Sequence, residues 1–402
     1  MVTMSSLNTL RGLRVLEFTH AVLGPACGLI LADLGAEVIR IEPIDGDPTR
    51  KLKGFGTGYY PFFNRNKKSL AVDIKSKQGQ EIIFKLLEST DVVVENFGPG
   101  TMDRLGFGYD ALASNYPTLV YCSLKGFLPG PYSSRLALDE VVQMMSGLAY
   151  MTGPVGQPLR AGASVVDVTT GMMGAMGVLA ALRERDTTGK GQLVKSALFE
   201  TAAYLMGHHM AYAAMTKEPV PPMPARVSAW AIYRTFKTAD GELVFIGVTS
   251  DKQWSRFCEV FERQDWLADE RLATNNGRIE QREWFLPQVA EMICKYPKAD
   301  VLKRCEAAEL PFSPIAKPED LFTDEQLVHG GSLLETTLPN GDVTHLPRLP
   351  FLLDGEGSGI EASPPKIGQH SKEILSSIGI DQSTIEKLLR EKIIAAEPIS
   401  NL

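Results

Sequence analysis

Arg14-Val15-Leu16-Glu17-Phe18, a break at Gly24-Pro25, the apolar stretch Ala26 to Leu34 closed by Gly35, and Glu37-Val38-Ile39-Arg40-Ile41-Glu42 together decide the fold. The two outer segments are short and apolar, the second with Val38, Ile39 and Ile41, so they read as strands. Pro25 suits the first turn of a helix, where its missing N–H costs nothing, and Gly35 suits the end. Strand, helix, strand in so few residues is a βαβ unit. The pattern continues with a strand over Ser69 to Ile74, a helix capped by Ser76 and running to about Leu87, and strands over Asp91 to Asn96 and Leu119 to Leu124. This order predicts an α/β fold built on a mostly parallel, doubly wound sheet. Ligands of such sheets sit beyond the carboxyl ends of the strands, which singles out His20, Asn96 and Lys125.

A helix is expected from about Asp167 to Arg185, studded with Gly171, Gly174, Ala175, Gly177, Ala180 and Ala181. Each glycine weakens an isolated helix by about 1 kcal/mol relative to Ala, so close packing must compensate. Thr188-Gly189-Lys190-Gly191 reads as a turn, Gln192 to Leu198 as a strand, and Glu200 to Met215 as a helix with Met206, Met210 and Met215 in the core. Pro219, Pro221, Pro222 and Pro224 mark a linker. Beyond it, Tyr233 to Thr238, a turn at Asp240-Gly241 and Leu243 to Val248 predict a hairpin, followed by a helix capped by Ser250 through Phe261 and helical segments to about Cys305. In the tail, Ser371 and the capping-box pattern Ser383-Thr384-Ile385-Glu386 predict two helix starts. The implied organisation is a large domain over 1–220, a smaller α+β domain over 225–325, and a return segment over 326–402 that completes the large domain.

The chain has 402 residues, 44% hydrophobic and 22% charged, with a net charge of −7. Such a balance argues for a globular protein with a large core and against a general nucleic-acid binder. Cys27, Cys122, Cys258, Cys294 and Cys305 are dispersed, without a CxxC pair, which reads as reduced thiols and a cytoplasmic protein. The histidines lack HExxH spacing, and His208-His209 are adjacent, so no metal site is expected. No signal-peptide pattern and no apolar run of membrane length are apparent, so no membrane association is expected.

Asp167 stands out in Gly162-Ala163-Ser164-Val165-Val166-Asp167-Val168-Thr169-Thr170-Gly171. A carboxylate at the head of an apolar helix is either its N-cap or a desolvated, reactive group. Gly24-Pro25-Ala26-Cys27-Gly28 is similarly open between a plain tight turn and a helix N-terminus facing an anion.

An ordered series of motifs then resembles the family III CoA-transferases, which include formyl-CoA:oxalate and carnitine CoA-transferases and the related α-methylacyl-CoA racemases. The series comprises Leu10-Arg11-Gly12-Leu13-Arg14-Val15-Leu16-Glu17-Phe18-Thr19-His20 with Gly24-Pro25, and Leu31-Ala32-Asp33-Leu34-Gly35-Ala36-Glu37 running on to Pro43. It continues with Asn64-Arg65-Asn66-Lys67-Lys68-Ser69, Glu95-Asn96-Phe97-Gly98-Pro99-Gly100, Arg104-Leu105-Gly106, Ser123-Leu124-Lys125-Gly126-Phe127, Thr188-Gly189-Lys190-Gly191-Gln192 and Pro364-Pro365-Lys366-Ile367-Gly368. Each motif is weak alone, but the series spans nearly the whole chain. The resemblance implies a Rossmann-like large domain and an interlocked homodimer. It implies that Asp167 is a covalent nucleophile, that Val72, Lys75, Asn96, Phe97, Arg104, Arg135, Leu138 and Asp139 contact CoA, and that His20, Val22 and Arg160 are candidates for substrate binding. Backbone donors of Thr169, Thr170 and Gly171 are candidates for an oxyanion site. Acyl-CoA and a small carboxylic acid are the implied partners, with CoA thioester as substrate and no cofactor.

Three departures from the oxalate enzyme's pattern redirect the acceptor. Val22 stands where it has a Gln, Pro43 where it has an Arg, and Ala225 to Tyr233 lacks its glycine loop. Arg135 and Arg160 precede Asp167 and offer a fork for a second carboxylate, or else form surface ion pairs. The expected reaction is therefore CoA transfer, from succinyl-CoA in particular, to a C4–C5 dicarboxylate such as mesaconate, itaconate or citramalate. A racemase is the rival reading. It needs an acid/base group where this chain has Leu138. A non-catalytic CoA-binding protein is the other rival.

Overall fold

The computed structural model describes residues 7–226 and 228–397, which leaves Val227 of the Ala225–Tyr233 stretch undescribed. The chain divides into two compact units, one running to Pro224 and resuming at Glu325, the other Ala225–Asp324. The larger unit holds the strands β1 (Arg14–Phe18), β2 (Glu37–Glu42), β3 (Lys67–Val72), β4 (Val92–Glu95), β5 (Val120–Lys125) and β6 (Leu193–Ala197). With the two-residue strand Ile394–Ala395 they form a seven-stranded sheet in the order Ile394–Ala395, β3, β2, β1, β4, β5, β6. Every pairing among β1 to β6 is parallel, and the last short strand joins β3 antiparallel. The doubly wound α/β sheet is thus present. The chain runs outward from β1 through β2 to β3, then returns to place β4 on the other side of β1. That reversal is the topological switch point, and its open ends are Thr19-His20 and Asn96-Phe97.

Period-two alternation buries both faces. Val15, Val38, Val92, Val94, Cys122 and Leu124 face the helices α1 (Leu23–Asp33) and, further on, the long Val165–Thr188 helix. Leu16, Phe18, Ile39, Ile41, Leu70 and Val93 face α2 (Lys77–Leu87) and the two C-terminal helices. A short helix α3 (Asp139–Met145) precedes the long one, α4 (Val165–Thr188). The glycines of α4 let it lie on α1 and the sheet. A Cβ added at Gly171 would stand 2.8 Å from the Leu23 carbonyl oxygen, and one at Gly174 2.7 Å from Leu124. Gly171→Ala is therefore expected to cost about 1–3 kcal/mol, because backbone cannot yield as a side chain can. A urea midpoint equal to that of the parent protein would contradict this contact.

Several expectations need correcting. Helix α4 begins at Val165, so Asp167 is its third residue and not its cap. By length and composition α4 is apolar enough to cross a membrane, contrary to the expectation of no such run. Its glycine face packs on α1, β5 and β6. Strand β3 starts at Lys67 instead of Ser69, because Lys67 and Lys68 already pair with Val38 and Ile39 of β2, the Lys67 ammonium being buried against Glu17 at 2.8 Å. The expected 200–215 helix is two, Leu198–Leu205 and Gly207–Thr216, and while Met206 is buried, Met210 and Met215 are 64% and 85% exposed. The last helix, Gln382–Arg390, is capped by Asp381 and not by the Ser383 box, since the Asp381 carboxylate accepts the Thr384 N–H at 3.0 Å.

The smaller unit pairs Tyr233–Lys237 with Leu243–Gly247 as an antiparallel hairpin, extended by Phe312–Pro314. Its turn uses Gly241 at φ 83°. Ser250 caps the Asp251–Val260 helix through the Gln253 N–H. Trp254, Phe257, Phe261, Trp266 and Phe285 form its own core.

Candidate active site

The turn from β1 into α1 is strained and held from two sides. Ala21 adopts φ 58°, the left-handed region that disfavours a residue with a Cβ. Its N–H donates to Thr49 Oγ1 at 3.1 Å. Thr49 is anchored in turn, its N–H donating to Asp47 Oδ1 at 2.7 Å. Asp47 pairs with buried Arg40, and Arg40 with buried Glu17. From the other side of the switch point, Asn96 grips the His20 backbone twice. Its Oδ1 accepts the His20 N–H at 2.9 Å and its Nδ2 donates to the His20 carbonyl at 3.0 Å. The Phe97 ring lies 5.9 Å from the imidazole of His20. Desolvation, then the charges of Arg40 and Lys125, hold the His20 pKa below its ordinary value, which favours the neutral imidazole.

Asp167 faces this turn across a cavity of about 400 Å³, whose walls also include His20, Val22, Asn96, Phe97, Lys125, Arg135 and Leu138. Its carboxylate is half-buried, and among the described residues no hydrogen-bond donor reaches it. Burial, and next the like charge of Asp139, raise its pKa to about 7, with Arg160 opposing. It is thus poised between acid and anion at neutral pH.

The helix carrying Asp167 is capped from a distance. Asp139, 6% exposed, accepts the Val166 N–H at 2.8 Å and the Asp167 N–H at 3.0 Å on its Oδ2. Its Oδ1 accepts from the Gln143 side chain, whose Oε1 receives the Ala161 N–H at 2.8 Å. Ser164, the local cap position, makes no side-chain cap bond. Asp139 therefore faces a helix terminus. The amides of Thr169, Thr170 and Gly171 lie beyond the first turn, where the helical ladder uses them, so they do not serve as oxyanion donors.

The other candidates separate by position. Val72 and Lys75 line a second cavity of about 500 Å³ with Pro43, Thr101 and Lys392, and Phe97 and Gly98 border both cavities. Arg104 lines neither. It is exposed, donating to Thr101 Oγ1 at 2.9 Å on the rim. Arg160 also lies off the cavity wall, paired with Glu140 and 3.9 Å from Asp139. Val22 is 2% exposed, in a small apolar cluster with Ala26, Leu29 and Phe63. Arg135, by contrast, has no carboxylate partner among the described residues. Its guanidinium sits 4.9 Å from the Tyr132 ring centroid. Thr49 escaped the sequence reading, because only the left-handed Ala21 reveals its task. Lys125 was legible as a strand end, but its bonds of 2.6 Å to Glu95 and to the Phe97 carbonyl were not.

Two cavities thus share Phe97 and Gly98 in their walls, one lined also by Lys75 and Lys392 and the other by a carboxylate of raised pKa. A succinate–glutarate CoA-transferase from Agrobacterium fabrum is 32% identical, covering 94% of this chain and 96% of its own length. A formyl-CoA:oxalate CoA-transferase from Streptomyces coelicolor is 31% identical over 96% of this chain and 99% of its own. The crystal structure of a CAIB/BAIF family protein from Brucella suis superposes with a TM-score of 0.82 at 30% identity, covering 92% of this chain and 99% of that one. Residues 10–371 match the family model described as CoA-transferase family III, and the chain belongs to that family of enzymes.

Proposed function

We propose that the protein transfers CoA from an acyl-CoA donor, best succinyl-CoA, to a small C4–C5 dicarboxylic acid, with Asp167 as covalent nucleophile. The observation that carries this reading is a half-buried Asp167 carboxylate, free of donors, in one cavity with an unpaired Arg135. Mesaconate, itaconate, citramalate and glutarate are the acceptor candidates. Glutarate is supported by the name of the Agrobacterium relative. The oxalate relative is about as similar, so identity does not choose between them; the apolar walls at Val22, Leu138 and Leu198 and an Arg135 without a carboxylate partner among the described residues favour a longer diacid.

In this reading the Asp167 anion attacks the thioester carbonyl, giving a mixed anhydride and CoA thiolate. The thiolate attacks the aspartyl carbonyl, releasing the donor acid and leaving an aspartyl-CoA thioester. The acceptor carboxylate attacks that thioester, again giving an anhydride and thiolate. Attack of the thiolate on the acceptor carbonyl frees acyl-CoA and restores Asp167. Splitting one acyl transfer into such steps demands shelter from water. CoA would run from Lys75 and Val72 past Phe97 and Asn96 to Asp167. Arg104 at the rim is a further phosphate contact in this pose. Racemisation is the less supported reading, since Leu138 stands at the position where it needs an acid/base group.

We further infer a homodimer, supported by exposed apolar side chains such as Met172, Met176, Tyr204 and Met215, from 51% to 85% exposed. A cytoplasmic location is supported by five free cysteines.

Hydroxylamine tests the mechanism. Added during incubation with succinyl-CoA, it is expected to inactivate the enzyme and leave a hydroxamate on the Asp167 peptide by mass spectrometry, since anhydride and thioester are both activated acyl groups. Modification elsewhere, or none under turnover, would point to direct transfer.

A further inference from the structure

We propose that Asp139 is a positioning residue for the transfer reaction, holding the first turn of α4 by its backbone so that the Asp167 carboxylate stays unbound and faces the cavity. This rests on Asp167 being the nucleophile. A carboxylate in the first turn of a helix ordinarily competes for the free N–H groups there, and one so bonded has lone pairs occupied and attacks poorly. Here Oδ2 of Asp139 takes both the Val166 and the Asp167 N–H, at 2.8 and 3.0 Å. Two of the free first-turn donors beside Asp167, the Val166 N–H and its own, are thus already committed. The cap comes from 28 residues upstream, on a different helix. Gln143 fixes the second oxygen of Asp139, and Arg160 stands 3.9 Å from it with its Nη2 lacking any hydrogen bond.

Asp139 also occupies the positive end of α4 with a negative charge of its own. Asp167 therefore meets a like charge where a helix N-terminus alone would favour its anion. The other charged groups facing this corner are few. Glu140 lies on α3 itself and pairs with Arg160. Glu200, on the Leu198–Leu205 helix packed against α3, accepts the Leu128 N–H at 3.1 Å. His20, Lys125 and Arg135 face Asp167 from the cavity.

The test is Asp139→Asn beside Asp139→Ala in the full-length enzyme. Asn keeps an acceptor for the two amides and removes the charge. Two readouts are taken: kcat and KM against pH, and titration of the Asp167 carboxyl without substrate, as the carbon-13 signal absent from Asp167→Asn. For Asp139→Asn, the acid limb of kcat and the carboxyl titration are both expected to move down by about one pH unit, because a like charge is gone. KM for acyl-CoA should stay within about twofold, since the interaction does not involve bound substrate. Asp139→Ala, lacking the acceptor, should lose kcat by about tenfold or more at unchanged KM. If Asn does not fold, Asp139→Ser keeps a capping oxygen without the charge and is read the same way. Superimposable titrations and kcat profiles overturn the proposal. So does a tenfold rise in KM at unchanged kcat, which would make Asp139 a CoA contact. The substrate-free titration does not depend on the role of Asp167, whereas an absent hydroxamate at Asp167 sinks the nucleophile reading and with it the catalytic part of this proposal, leaving the hold of Asp139 on the Asp167 carboxyl to the titration.

Discussion

Asp167→Asn is expected to lower kcat at least about a thousandfold, a loss of about 4 kcal/mol of transition-state stabilisation, with CoA binding nearly intact. Asn is close in size and leaves the cap on α4 in place, because that cap belongs to Asp139. The variant should also separate function from stability. The folded pKa of Asp167 is raised from 3.8 to about 7, so the folded protein holds a proton there that the unfolded chain releases. That contribution is fully present below the ordinary Asp range and is lost as pH rises through about 7. Asn carries no such penalty, so its Tm should fall less than the parent's between pH 4 and pH 7. A variant with more than about a tenth of parental activity, a deficit of only about 1.4 kcal/mol, would rule out covalent catalysis by this residue.

What the sequence made legible follows from locality. Strands β1 and β2 were readable from their own apolar spacing, and the existence of helix α1 from Pro25 and Gly35, although it begins at Leu23, so that Gly24-Pro25 lies in its first turn and is not a break before it. The same holds for Ser76 and Ser250, each of which caps its own helix. Readings that failed depended on partners distant in sequence. The strand expected from Ser69 in fact begins at Lys67, whose ammonium is buried with Glu17, 50 positions away. Asp167 resembles a cap only while Asp139 is out of view. Met210 and Met215 looked like core because the periodicity of a helix does not say whether its apolar face meets the same chain. At the site, the strand-end rule found His20, Asn96 and Lys125, since the sheet order alone brings β1 and β4 side by side. The division of labour between Arg135 and Arg160 was not legible. Both precede Asp167, and what distinguishes them is the place of Arg135 on the cavity wall and the pairing of Arg160 with Glu140.

That distinction gives the acceptor prediction its form. Arg135 lines the Asp167 cavity, and among the described residues no carboxylate pairs with it. Its guanidinium rests near the Tyr132 and Phe127 rings, 4.9 and 5.8 Å from their centroids, which holds the fork in place without neutralising it. A diacid attacking through one carboxylate would present the other to this fork. Deleting the second carboxylate should then cost about 1.5–3 kcal/mol, the range for a hydrogen bond to a charged group, or about 10- to 150-fold in kcat/KM. With succinyl-CoA as donor, glutarate, mesaconate, itaconate and citramalate are expected to exceed their monoacid analogues by that margin, and oxalate and carnitine as well. Arg135→Gln should erase most of the preference by slowing diacids while sparing monoacids. Arg160→Gln should preserve it, because Arg160 is off the cavity wall and bound to Glu140. Should oxalate or a monoacid win tenfold, the dicarboxylate assignment falls while CoA transfer stands. Should Arg160→Gln and not Arg135→Gln remove the preference, the distal carboxylate must displace Glu140, and the fork has been placed on the wrong arginine.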